Sequence, residues 1–220
     1  MDTTVRERIQ TEIFDYQTLI DALQELSYPR DKITDLIKKG IIIRIKKGLY
    51  IFGNRYRKHP YSRELLANLI YGPSYISLEY GLSYYSLIPE KAEALTSVTI
   101  GRSRKFYTPV GLFTYRKIPI RAYQSGMTLI EETHDQGFLI ALPEKALADK
   151  ITTEKGLPIS SQKEMHRFLV ENLRIELSTL KSMSTKKINE YAELYHSRKL
   201  RLLSSLIKRV QKSGKDAIHG

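Results

Sequence analysis

The sequence predicts an α+β fold, and three patterns carry that reading. Apolar residues recur at helical spacing through most of the first forty positions. A β-branched run, Ile41-Ile42-Ile43-Arg44-Ile45, then returns across Lys46-Lys47-Gly48 as Leu49-Tyr50-Ile51-Phe52, the pattern of a hairpin. Strand-like segments, mainly within 95–141, finally give way to helical periodicity over 160–212.

In the first part, Asp2 to about Gln10 suits a short helix, and Thr11-Glu12-Ile13-Phe14 an extended piece. Asp15 supplies a side-chain oxygen to cap the next helix, whose first amides lack internal acceptors. Leu19, Ile20, Leu23 and Leu26 form its apolar stripe, and Tyr28-Pro29 is expected to stop it. A second helix, Arg30 to Lys39, sets Ile33, Leu36 and Ile37 on one stripe and Arg30, Lys32, Thr34, Lys38 and Lys39 elsewhere. Gly40 suits a left-handed C-cap. Helix, short turn, helix and basic-tipped hairpin is the order of a winged helix-turn-helix, expected over roughly residues 11–57 of an N-terminal domain, 1–58.

Residues 53–61 read as a connector. Beyond it, 59–220 is expected to be a mixed α/β domain ending in helices. Helices are predicted over 63–71 and 77–85, broken by Gly72-Pro73. Strands are predicted at 95–100, 105–108, 111–118 and 137–141, and Pro143-Glu144-Lys145 opens a further helix. The helical tail carries Met165, Phe168 and Leu169, then Ile188, Tyr191 and Tyr195, then Leu202, Leu203, Leu206, Ile207 and Val210.

A chain of 220 residues folds without staples, and with no cysteine it has neither disulfides nor a thiolate nucleophile or metal ligand. It has no apolar run long enough to span a bilayer, and its first residues are polar, so a cytoplasmic protein is expected. The net charge of +12 is uneven. Residues 28–60 hold ten bases against Asp31 and Asp35, and residues 160–220 hold thirteen against six acids, whereas 61–159 are nearly neutral. Cations clustered this way point to a polyanion.

Duplex DNA fits the first block. The second helix of such a unit enters the major groove and the hairpin tip reaches backbone. Arg30 and Lys32 are the expected base readers, with Thr34, Lys38 and Lys39 on the same helix and Arg44, Lys46 and Lys47 clamping phosphates. Further phosphate contacts are expected from Arg55, Arg57, Lys58, Arg102, Arg104 and Lys105, although Arg102 to Lys105 equally suits a solvated loop.

Other constellations read as structural. Tyr75, Tyr80, Tyr84 and Tyr85 suit helix packing better than a base-stacking platform. Glu144, Lys145, Asp149 and Lys150, with Glu131, Glu132 and Asp135 upstream, are the residue types of a metal-dependent nuclease. Glu144 and Lys145, however, adjoin at a helix start and point apart. His59, His134, His166, His196 and His219 have no ligand spacing, and there is no nucleophile elbow or phosphate-binding glycine loop. No catalytic residue, metal or cofactor is expected.

Three stretches resemble the AbiEi family of antitoxins, regulators of type IV toxin–antitoxin and phage-defence operons. They are Ile37 to Gly40 running through Arg44 to Tyr50, Pro73 to Glu90, and Gly137 to Ala141 followed by Pro143 to Asp149. The resemblance implies repression of the protein's own operon through inverted repeats, by a homodimer or a cooperative pair. It also implies a second domain that counters a nucleotidyltransferase-like toxin, functionally rather than necessarily by contact. Two other functions compete: a protein-interaction module built on the winged helix, and the nuclease.

Overall fold

The computed structural model describes residues 3–132, 136–156 and 158–216; Asp2, His134, Asp135 and His219, named above, lie outside them. The architecture is mixed α+β with a helical C-terminus. No helix among the described residues is long and apolar enough to cross a membrane.

The N-terminal unit comprises α1 (Thr3–Arg8), β1 (Ile13–Asp15), α2 (Tyr16–Ala22), α3 (Pro29–Lys38), β2 (Ile42–Lys46) and β3 (Leu49–Phe52). Its strands form an antiparallel sheet in the order β1-β3-β2. Strand alternation sends Phe14, Ile42, Tyr50 and Phe52 to the helices, where Leu19, Leu23, Ile33 and Leu36 meet them. Asp15 caps α2 by accepting the Thr18 amide at 2.8 Å. Donation from the Thr18 amide first, and then from the Thr18 hydroxyl, holds its carboxyl below the ordinary range.

One expected boundary moves. Tyr28-Pro29 does not stop α2, which ends at Ala22, with the Leu23 amide turned onto the Ile20 carbonyl at 3.0 Å. Leu26 therefore leaves the apolar stripe and stands exposed. Pro29 instead opens α3, at the first position, where a missing amide removes no helical bond.

The remainder is built on a six-stranded mixed sheet, order β6-β7-β5-β4-β9-β8. In chain order its elements are α4 (Arg63–Ile70), β4 (Ser74–Ile76), α5 (Leu78–Tyr84), β5 (Leu95–Thr99), β6 (Arg104–Thr108), β7 (Gly111–Lys117), α6 (Ile120–Tyr123), β8 (Met127–Ile130), β9 (Phe138–Ala141) and α7 (Pro143–Thr153). Helices α8 (Gln162–Arg167), continued by a π-helical turn (Phe168–Asn172), α9 (Leu177–Ser182), α10 (Thr185–Leu194) and α11 (Arg198–Asp216) complete it. Tyr75 and Val98 face a core shared with α7 and the C-terminal helices, whereas Ile76 and Leu95 face one shared with α4. Strands β4 and β8 and helix α6 were not expected. All three residues of β4 are buried, so they show no alternation, and a three-residue strand has no measurable period.

The two units are not strung on a free connector. Ile45, Leu49 and Ile51, on the outer face of the small sheet, pack in one apolar cluster with Leu66, Ala67 and Ile70 of α4. A buried ion pair closes the other side. Arg6 Nη2 lies 2.6 Å from Glu12 Oε1, and the same oxygen accepts the amides of Lys58 and His59 at 3.1 Å. Gly53 sits where any side chain is excluded, because a Cβ there would lie 2.0 Å from the Gly40 carbonyl oxygen.

Candidate nucleic-acid interface

Helix α3 buries Ile33 and Leu36, while Arg30, Thr34 and Lys38, four residues apart, stand exposed along one row that starts beside Ile33 and winds to the far side of the helix. Thr34 Oγ1 donates to the Arg30 carbonyl at 3.2 Å. Asp35 engages two of the expected cations, Lys32 at 3.4 Å and Lys39 at 2.9 Å. Hydrogen bonding to Lys39 first, then its charge, and the more distant Lys32, hold the Asp35 carboxyl below its ordinary value. Lys32 is also half-buried, which leaves Arg30 and Lys38 as the two α3 cations with no carboxylate partner among the described residues.

The hairpin adds two more. Arg44 is exposed on the helix side of the small sheet, directly opposite Tyr50. Burial raises the Tyr50 phenol pKa and the Arg44 charge opposes that rise. Lys47 stands exposed at the tip beside Gly48, whose φ of 86° makes the turn. Lys46 does something else. It sits at a register shift between Arg44 and Lys46, and its ammonium donates to the carbonyls of Leu69 at 3.0 Å and Ile70 at 2.7 Å. Those are orphan carbonyls at the end of α4, and the ammonium satisfies them. Lys46, expected beside Lys47 on the DNA backbone, is thus drawn toward α4, where burial lowers its pKa.

Between the starts of α2 and α3 lies a groove of about 510 Å³ whose rim carries Tyr16, Gln17, Tyr28, Pro29 and Arg30. Arg55 and Lys58 are exposed on the connector, while Arg57 is drawn onto Asn54 and over the Tyr61 ring at 5.3 Å. Arg102, Arg104 and Lys105 are also exposed, but the last two line a hollow of the larger sheet to which no residue before Leu78 contributes.

The acidic and lysine residues of α7 are arranged for packing. Glu144 accepts the Ser184 amide at 3.1 Å and meets Lys187 at 3.4 Å, tying α7 to α10. Lys145 and Asp149, one helical turn apart and wholly buried, form an ion pair. Asp149 also accepts from Ser77 Oγ at 2.7 Å, Tyr195 OH at 2.5 Å and Tyr75 OH at 3.4 Å. Rings of Tyr75, Tyr191 and Tyr195 surround the ammonium at 4.9–5.8 Å. Burial lowers the Lys145 pKa against the pull of Asp149, and it pushes the Tyr75 and Tyr195 phenols far up.

Sequence reasoning set Glu144 and Lys145 at a helix start, pointing apart, and missed the Lys145–Asp149 cluster. Its signal was a charged pair four residues apart inside Ala146-Leu147-Ala148 and Ile151. Tyr75 is buried, so it offers no stacking face. Among the described residues no group of three His, Asp or Glu side chains is disposed to hold a metal ion. No protein-family model matches the chain, and no curated protein matches it.

Proposed function

We propose that the N-terminal unit is a winged helix-turn-helix and that the protein is a DNA-binding transcriptional repressor of its own operon. One observation carries this reading: Arg30, Thr34 and Lys38 form an exposed row on α3, and Arg30, Lys38, Arg44 and Lys47 have no carboxylate partner among the described residues. A helix of α3's length with cations on its solvent face suits the major groove, and Arg30 in this reading contacts base edges. Lys38, Arg44, Lys47 and Arg55 contact phosphates, and Lys46 holds the hairpin to α4 instead.

The resemblance to AbiEi antitoxins extends the proposal. The second unit, 59–220, then counters a nucleotidyltransferase-like toxin in the cytoplasm, and two protomers occupy an inverted-repeat operator. The test is a gel shift of the full chain on DNA upstream of its own gene against a scrambled duplex. Preferential retardation of the upstream DNA is expected. Equal retardation of both, or none, rejects the repressor.

A further inference from the structure

Two hollows on the second unit form one continuous groove, because Ser103, Arg116, Thr153, Glu154 and Lys155 line both. The hollow nearer the C-terminal helices measures about 740 Å³ and its neighbour about 660 Å³. Each lies within the roughly 300–1,000 Å³ of small-molecule sites.

The chemistry of the larger hollow is one-sided. Arg116, Lys117, Lys155, Arg198 and Lys199 line it, and none has a carboxylate partner among the described residues. The acid present, Glu154, is already engaged by Lys150. Helix α11, 19 residues long, begins at Arg198 on the same wall, so the positive end of its dipole adds to that field. The cations come from separate elements, β7, the end of α7 and the start of α11.

The remaining lining is apolar or fixed. Pro119 is exposed and offers an uncharged surface, whereas Ile118 and Ile159, also in the lining, are almost wholly buried. Tyr195 closes the back, its hydroxyl held by Asp149 at 2.5 Å and by Lys145 at 3.1 Å. A duplex backbone has no use for the apolar strip, and a single strand would want several exposed rings to stack on. A planar apolar body bearing a chain of phosphates uses both parts. We infer that this groove is a binding site for a free nucleoside polyphosphate, with its phosphates among Arg116, Lys117, Arg198 and Lys199 and its base over the exposed Pro119.

The test is calorimetric titration of the full chain with ATP, repeated for an Arg116→Ala/Arg198→Ala variant, both exposed positions. The same proteins are titrated with the upstream duplex and with a short single-stranded oligonucleotide. Saturable ATP binding is expected, weakened about tenfold or more by the double variant, since each lost charged hydrogen bond is worth about that much. Duplex affinity should stay within about twofold under the same salt. Absence of saturable binding through millimolar ATP overturns the inference, as does ATP binding indifferent to the variant. Displacement of ATP by either nucleic acid, with the variant weakening both alike, also overturns it and makes the groove part of a polynucleotide surface.

Discussion

The ammonium of Lys46 lies 2.7 Å from the carbonyl oxygen of Ile70, so a residue at the hairpin turn caps a helix of the neighbouring unit. With Ile45, Leu49 and Ile51 packed on Leu66 and Ile70, this contact fixes the hairpin relative to the larger sheet. It also removes one cation from the surface offered to a polyanion, and separates two adjacent lysines into different roles.

The two lysines therefore respond differently to substitution. Lys47→Ala should flatten the dependence of log DNA affinity on log salt by about one unit. Lys46→Ala should leave that slope alone and lower stability in urea by about 1 kcal/mol, because its head is only partly buried. Equal flattening by both variants would return Lys46 to the DNA surface.

Arg30 stands exposed near the start of α3, at the edge of its buried face. Its replacement by alanine should relax preference at individual base pairs of the operator by roughly 1–3 kcal/mol, the worth of a bidentate contact to guanine. A binding-site selection that returns the same base preferences for Arg30→Ala and the parent protein rejects the base-reading role.

Lys145 and Asp149 share a site with no access to water. Lys145→Ala leaves Asp149 charged and buried, and should destabilise the protein by about 3–5 kcal/mol in chemical denaturation. Lys145→Met with Asp149→Leu removes both charges together and should recover much of that loss. A single variant that loses less than about 1 kcal/mol contradicts the electrostatic account of the cluster.

Asp15 accepts the Thr18 amide as the cap of α2, and its carboxyl titrates below the ordinary 3.8. A depressed folded-state value stabilises the fold above the unfolded pKa, and that contribution disappears as pH falls through the lower, folded one. Asp15→Ala should cost about 1 kcal/mol at neutral pH, and Asp15→Asn should flatten the stability profile below about pH 4. Parallel acid profiles for Asn and the parent would exclude the cap as the cause.

Local chemistry made much of the N-terminal unit readable. The Asp15 cap, the left-handed Gly40 and the lysine–glycine turn each depend on neighbours within a few residues, and each stands where expected. The end of α2 was misread because Pro29 signals a boundary without saying which helix it bounds. Long-range relations left less trace. Nothing near Arg6 announces Glu12, whose bridge also depends on amides at 58 and 59. The five groove cations are scattered from 116 to 199 in sequence, and only the tertiary fold, which brings the ends of β7 and α7 and the start of α11 to one hollow, gathers them. Of the candidate interface, charge and helical period disclosed Arg30, Thr34 and Lys38, whereas the diversion of Lys46 to α4 required the tertiary fold.

In the proposed function, exposed cations of α3 and the hairpin meet duplex DNA together. Fluorescence anisotropy on the upstream duplex between about 50 and 200 mM salt tests it most directly. Phosphate contacts from Lys38, Arg44, Lys47 and Arg55 predict a slope of roughly −3.5 to −4 per protomer, collapsing when all four are alanine. Binding that is insensitive to salt, or equally tight in the fourfold variant, contradicts the account.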